Sequence, residues 1–453
     1  MTTTDPTADI DVVKEQLRQS GVKYAIASFV DIHGVSKGKF VPIDHLDNML
    51  GGSELFTGAA LDGLPQDVSD EELSARPDLS RWFQLPWNKE FAYFPSSLYT
   101  AGQPFTASSR DILKRQLGLA ADLGYTFNLG VETEFFVLQD SAAGPTEVSD
   151  RDTLAKAAYN VSTTLDNASW LGELVSAMNE LGWDVYSFDH EDACGQFEID
   201  FTYTDALLMA DRFVFFRMMA NEIARKHGHF ASFMPKPFAD RTGSGAHFNM
   251  SLADLDTGAN LFATGDDPRG LGVSALGYHF IAGVLRHLPA ITAVIAPTVN
   301  SYKRLVRQGS MSGSTWAPVF VSYGNNNRTN SLRIPLAGGR VECRAADISC
   351  NPYLGAAIVL AAGLEGIRER LDPGDPRTEN MYRYTDAQIA ELGIAQLPRS
   401  LGEAIDEFRA DSLSREVFGD ELYQAFIDYK TEEWESYQAH VSSWETDRYL
   451  KFF

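Results

Sequence analysis

Cysteine is almost missing from this sequence: the 453 residues include three, Cys194, Cys343 and Cys350. Three irregularly spaced thiols cannot build a disulfide framework, and none forms a C-x-x-C pair of the kind used for zinc or redox chemistry. A reducing compartment is therefore expected. Positive charge is scarce as well, with 38 Lys and Arg against 62 Asp and Glu, a formal charge of -24 at pH 7. A field of that sign repels phosphate backbones and anionic bilayers, so neither nucleic acid nor a membrane is an expected partner. No stretch of about 18 apolar residues runs unbroken, and the opening MTTTDPTADIDVV has neither a basic nor an apolar region. The expected location is the cytoplasm. Internal repeats, low-complexity tracts and heptads are also absent.

What is present is the composition of a globular protein, 44% hydrophobic and 22% charged, in a chain longer than one ordinary domain. Residues 22–46, VKYAIASFVDIHGVSKGKFVPIDHL, alternate apolar and polar positions around an Asp-Ile-His-Gly break, which predicts two strands joined by a short loop at the start of a small β-rich unit. Pro86, Pro95 and Pro104 punctuate the rest of that unit, and Ser109 stands where an N-cap precedes a helix ending near Gly124. The expected boundary separates a unit at 1–105 from one at 106–453. In the second unit the strand-like runs FFVL, FEIDF, HFNMSL, SLRIP and VECRA alternate with helical stretches at 205–227 and 353–370, as in a mixed helix and strand catalytic domain. From about residue 431 the sequence reads as a helix.

Several of these strands place polar groups at i and i+2, which a strand presents on one face. VETEFF offers Glu132 and Glu134. FEIDF offers Glu198 and Asp200, with Glu191 just upstream after His190. AHFNMSL offers His247, Asn249 and Ser251, with Phe248 and Met250 on the opposite face, and VECRA offers Glu342 and Arg344. If the faces converge, five glutamates and one histidine share a pocket, and like charges that close need cations to neutralise them. An oxygen-rich donor set favours Mg²⁺ or Mn²⁺, and two such ions suit phosphoryl transfer. Singly, each piece is ordinary: a Glu-x-Glu strand is usually a solvated face, and GSGAH lacks the spacing of a phosphate loop. Only together do they specify a site.

In order and wording these segments resemble the glutamine synthetase superfamily from about residue 22 onward. VETEFF is similar to its Glu-x-Glu strand, HEDACGQFE to its His-Glu and Gly-Gln-x-Glu segment, and KPFADRTGSGAHFNMSL to its Gly-Ser-Gly-x-His segment. NSYKRL, NNNRTNSLRIP and VECRAADISCNPYL are similar to its substrate-arginine, ATP-arginine and metal-glutamate segments. The resemblance implies an α+β fold, a small N-terminal β-grasp domain followed by a catalytic domain whose antiparallel sheet forms a half-barrel. It implies one metal site at Glu134, Glu191 and Glu198 and another at Glu132, His247 and Glu342, holding two or more Mg²⁺ or Mn²⁺ ions, with ATP as co-substrate. Arg304 and Arg344 are then expected to hold substrate glutamate through guanidinium forks, with the Gly243 backbone against it. Arg328 and Arg333 are expected on the phosphates and Ser251 on the nucleotide side. Asp31 is expected near the incoming amine in an adjacent subunit's site, and Tyr159 on its wall. A homo-oligomer of stacked rings, a dodecamer, is implied too.

The sequence also departs from the family pattern. Ammonia-using relatives carry a flap glutamate directly before Ala-Pro-Val; here TWAPVFVSYG puts Trp316 there, after a long glycine-bearing flap, RQGSMSGS. Tryptophan accepts no proton, but its face attracts cations and its bulk excludes water. This resembles the glutamate–methylamine ligase and type III glutamine synthetase-like branch. Thr242 replaces a usual asparagine and Asn249 a usual histidine. The expected activity is therefore ATP-dependent ligation of glutamate's γ-carboxylate to a small organic amine through a γ-glutamyl phosphate, methylamine being the first to try. Other readings are a glutamine synthetase using ammonia, a silent assembly protein, and a guanidino kinase. A silent protein would have no need of all six ligand candidates, nor a kinase of Asp31 and Tyr159. Tyr382 lies near where some bacterial relatives are adenylylated, but its flanks differ, and no regulation is drawn from it.

Overall fold

A computed structural model describes residues 10–453, so most of the opening segment on which the leader reading rests lies outside the described residues. Residues 22–46 form the expected pair of strands, β1 (Tyr24–Val30) and β2 (Ser36–Pro42). With β3 (Leu55–Phe56), β4 (Leu73–Pro77), β5 (Phe83–Gln84), β6 (Phe91–Thr100) and β7 (Gln103–Pro104) they make a seven-stranded sheet ordered β2-β1-β6-β4-β3, in which β5 and β7 also pair with β6. The β1–β6 pairing is parallel and the β1–β2 hairpin antiparallel, as in a β-grasp. β1 lies between two strands, so both of its edges are paired, and it is buried along six of its seven residues.

The second sheet has ten strands. It comprises β8 (Tyr125–Gln139), β9 (Thr146–Glu147), β10 (Val185–His190), β11 (Gln196–Phe201), β12 (Thr204–Asp205), β13 (Phe230–Ser232), β14 (Ala246–Asp254), β15 (Phe320–Gly324), β16 (Asn330–Arg333) and β17 (Val341–Cys343). Its main path is β10-β11-β8-β14-β17-β16-β15, with β9, β12 and β13 also on β8. The sheet is the curled half-barrel that the resemblance implies, antiparallel throughout except that β15 and β16 run parallel.

Helices cover one face. Ala206–Lys226 starts where Asp205 caps it, its carboxylate accepting Leu208 N–H at 3.1 Å. Ser109, expected as the N-cap, is instead the first residue of the helix Ser109–Asp122; the N-cap is Ser108, whose hydroxyl donates to Asp111 at 2.6 Å and leaves the helical N–H groups uncapped. Ala275–Ile295 is long and apolar enough to cross a membrane by length and composition; here it is a mostly buried core helix packed on Pro352–Glu369. The two backbones touch, since a Cβ on Gly283 would lie 2.0 Å from the Ala362 carbonyl oxygen. The expected C-terminal helix starts earlier than residue 431, as Asp420–Ala439, because Leu422, Phe426 and Ile427 bury one face of its first turns.

One large core runs across both sheets, with two small clusters beside it around Phe320 and Phe136. From the first sheet, Phe83 packs tilted and Tyr93 edge-on against Phe215 of the helix Ala206–Lys226, with ring centroids 4.9 and 5.4 Å away. Arg110, almost fully buried, bonds Asp211 and Asp78 at 2.9 Å each, tying the same helix to the turn after β4. Asn351 caps Pro352–Glu369 and also donates to the carbonyls of Asp31 and Ile32 at 3.2 and 3.3 Å, fixing the β1–β2 loop on the catalytic half.

Candidate active site

Register decides which polar groups meet. On β8, Glu132 lies opposite His247 of β14 and Glu134 opposite Glu198 of β11; on β17, Glu342 lies opposite Asn249 of β14 and Arg333 of β16. These side chains share the open face of the half-barrel, while Val131, Thr133, Phe135, Phe248 and Met250 point into the core. Glu191 joins them from the turn after β10.

Two triads result, Glu132–His247–Glu342 and Glu134–Glu191–Glu198, each with its donor atoms within 4.8 Å of one another. His247 Nδ1 is 2.8 Å from Glu132 and 3.5 Å from Glu342. Burial, helped by the Arg344 guanidinium, pushes His247 down to about 3, so the ring is neutral and has a lone pair to offer. Burial and the like charge of Glu134 push Glu191 up to about 8, burial and Glu191 raise Glu198 well above the carboxylate range, and burial and Glu132 push Asp200 up to about 7. Acids so crowded either hold protons or face cations. Five carboxylates and one neutral imidazole fit hard divalent ions of the Mg²⁺ or Mn²⁺ kind.

Beside the triads, Tyr159, Gly243, Arg304, Trp316, Arg328 and Arg344 line one cavity with Glu134, Glu191 and His247. Arg304 donates to the carbonyls of Ala345 and Arg344 at 3.2 and 2.9 Å. Arg344 pairs with Glu342 and donates to the Trp316 carbonyl at 3.1 Å, while its buried Nε has no protein partner. At Gly243 a Cβ would sit 2.4 Å from the Pro235 carbonyl oxygen and 2.8 Å from Arg304 Cγ, so the backbone approaches the cavity where no side chain fits.

Tyr159 and Trp316 stand on the walls with left-handed backbones, φ 64° and 55°. That conformation costs a bulky L-residue about 1–2 kcal/mol. Trp316 is 44% exposed, and its ring faces the Arg328 guanidinium at 5.9 Å. Tyr382, left without a role by its sequence, donates from its hydroxyl to the Ala317 carbonyl and so helps anchor this segment.

Ser251 lines a neighbouring cavity with Glu132, Asn249, Tyr186, Tyr203 and Arg340. Asn249 bridges the two, donating to Glu132 at 2.9 Å and accepting from Arg340 at 2.9 Å. Arg333 pairs with Glu342 and bonds Asn326 Oδ1 from Nε at 3.0 Å; it lines neither cavity.

Asp31 is not brought to this site within one chain. It is 1% exposed, its Oδ1 accepts the N–H groups of His33 and Val35 at 3.0 Å each, and Lys37 lies 3.1 Å from Oδ2. In its own chain it is a turn aspartate. Sequence reading also missed Gln196, which donates to the Gly243 carbonyl and to Ser244 at 3.2 Å and accepts from Thr242 at 3.1 Å. The i+2 rule that found Glu198 and Asp200 extends back to it. Thr242, at a departure from the family pattern, thus turns its hydroxyl to Gln196.

Residues 106–449 match the family model of the glutamine synthetase catalytic domain. The chain is 42% identical over 438 residues to the glutamate–methylamine ligase of Methyloversatilis universalis, covering 96% of this chain and 98% of that one. It is 39% identical over 435 residues to a glutamine synthetase of Rhizobium meliloti, covering 94% and 96%. Among solved structures, GmaS in complex with ADP superposes with a TM-score of 0.90 at 37% identity, covering 97% of this chain and 99% of that one.

Proposed function

Since this chain belongs to the glutamine synthetase family, we propose that it is an ATP-dependent ligase joining the γ-carboxylate of L-glutamate to a small alkylamine such as methylamine. The observation that carries the choice of amine is Trp316, whose indole lines the same cavity as the glutamate-side arginines and the Glu134–Glu191 acids.

Arg304 and Arg344 present guanidinium groups for the substrate's carboxylates, and the unpartnered Arg344 Nε is a buried donor suited to an anion. Arg328 and Arg333 take the phosphoryl oxygens, and Ser251 lies on the nucleotide side. The two triads hold Mg²⁺ or Mn²⁺, which when bound neutralises charge developing on the phosphate oxygens. The γ-phosphoryl group passes from ATP to the γ-carboxylate oxygen, releasing ADP. A carboxylate takes one proton from the bound alkylammonium, the freed amine nitrogen attacks the acyl carbon, and phosphate leaves with the second proton as hydrogen phosphate.

Tyr159 and Trp316 give that amine two aromatic walls, which favour an alkylated cation and keep water from the acyl phosphate. Asp31 serves as an acid near the amine in a neighbouring copy's site, a role that requires a homo-oligomer.

Phosphate release with glutamate, ATP and either methylamine or ammonia, compared at matched free-base concentration, tests the reading. The expected kcat/KM is at least about tenfold higher for methylamine, a difference of roughly 1.4 kcal/mol in transition-state binding, and Trp316→Glu moves the preference toward ammonia. A wild-type preference for ammonia overturns the choice of amine. Phosphate release with neither overturns the ligase reading and returns the chain to the silent-protein alternative.

A further inference from the structure

The turn that carries Glu191 and the turn that carries Tyr159 are held by one buried pair. Asp152, 3% exposed, lies in the loop between β9 and the helix Val161–Asp166. Its Oδ2 accepts from His190 Nε2 and from the Gly195 N–H, both at 2.7 Å. His190, fully buried at the end of β10, turns its other nitrogen to the Glu191 carbonyl at 2.7 Å. The His190 carbonyl in turn accepts the N–H of Tyr159, again at 2.7 Å, where Tyr159 sits in its left-handed conformation. Asp152 Oδ1 is buried with no partner, a desolvation cost that packing alone does not explain.

Glu134 and Glu198 are fixed by the β8–β11 ladder. Glu191 is not on a strand; apart from its N–H bond to the Gln196 carbonyl at 2.9 Å and the bond its carboxylate accepts from Asp192 N–H at 2.8 Å, its place depends on the turn between His190 and Gly195. Holding a third carboxylate against two others needs that turn to be stiff. Tyr159, on the same loop as Asp152, is set from the backbone carbonyl of the residue whose imidazole the pair holds.

We propose that Asp152 and His190 are positioning residues that set Glu191 against Glu134 and Glu198 and, through one backbone bond, set Tyr159 beside them, so that the cation side and the amine side of the cavity are built to one spacing. This inference rests on the proposed roles of Glu191 and Tyr159.

The test uses the full-length assembled protein with Asp152→Asn, which keeps the volume but removes the charge shared by two donors, and with His190→Gln. Mn²⁺ binding without substrates is measured by calorimetry, and KM is measured for methylamine, glutamate and ATP. Both variants are expected to weaken Mn²⁺ binding and raise the methylamine KM by about tenfold each, the usual scale for groups that orient a ligand. The KM values for glutamate and ATP stay within about twofold. Asp152→Glu, which restores the charge, recovers part of both losses.

Ser149→Ala serves as the control, since it removes the hydroxyl's bonds to Asp166 on the following helix and to the Arg151 N–H in the same loop, and neither side-chain bond of the pair. Wild-type Mn²⁺ affinity and methylamine KM in Asp152→Asn overturn the inference, as does the same pattern in Ser149→Ala. If Asp152→Asn fails to fold, His190→Gln decides by the same criteria. Glu191→Gln separates the two levels. If it leaves Mn²⁺ binding intact, the proposed cation triad is wrong and the inference falls with it. If it weakens binding while Asp152→Asn does not, only the pair's role is lost.

Discussion

Glu342 concentrates the chemistry of the site in one side chain. It is fully buried, pairs with both Arg333 and Arg344, and lies 3.5 Å from His247 Nδ1. Glu342→Ala leaves the Arg344 guanidinium buried without its counter-charge, so urea unfolding is expected to show a loss of about 3–5 kcal/mol together with loss of phosphate release. A variant as stable as the wild type would show that solvent or another acid already carries this charge. At this scale the sequence was informative about faces, because a strand's period of two leaves no freedom once Glu132 and Glu134 share a side. It was silent on the backbone of Trp316, since no local rule places a bulky residue at positive φ. Asp31 carried two opposed signals. The Asp-Ile-His-Gly turn describes what its carboxylate does in its own chain, whereas the amine role comes from resemblance and concerns a neighbour.

Helices 275–295, 352–369 and 401–410 meet at His287. Its Nδ1 contacts Asp411, just after the third helix, and its Nε2 contacts Glu365 on the second, at 2.8 Å each. Burial pulls His287 down, but hydrogen bonds to Asp411 and Glu365 outweigh it and hold the imidazole above its usual value. Both carboxylates sit below theirs: burial raises them, but His287, together with Arg286 at Glu365 and Ser414 at Asp411, outweighs it. The raised histidine contributes stability that is complete below about pH 6.5 and is lost as pH climbs through its folded value. The depressed acids contribute stability present above about pH 4.5 and lost as pH falls through their folded values. Wild type minus His287→Gln, measured as urea midpoints, is therefore expected to be larger near pH 6 than near pH 9. An equal difference at both would mean that His287 acts by packing alone. The helical stretches read at 205–227 and 353–370 fall within one residue of Ala206–Lys226 and Pro352–Glu369, which Asp205 and Asn351 cap. The N-cap lies at Ser108, one residue before the expected Ser109, and neither hydroxyl caps the helix, Ser108 donating to Asp111 instead.

The whole molecule was the least legible scale. The strand order β10-β11-β8-β14-β17-β16-β15 joins segments far apart in sequence, and no local pattern states which strands are neighbours. Resemblance implied an antiparallel half-barrel and the two ligand sets, not that order, and the register brings the Glu-x-Glu pairs into two triads. Burying so much acid on one face also links shape to solution composition. A divalent ion that binds the folded half-barrel and not the open chain stabilises it by mass action, about 1.4 kcal/mol for each tenfold rise in free ion above its Kd, per ion. The melting temperature is thus expected to climb with the logarithm of free Mg²⁺ and to drop under a chelator, and Glu134→Gln should flatten the line. A wild-type melting curve indifferent to chelation would mean the triads close on protons instead. With the expected slope, the enzyme's resistance to heat becomes a gauge of the magnesium around it.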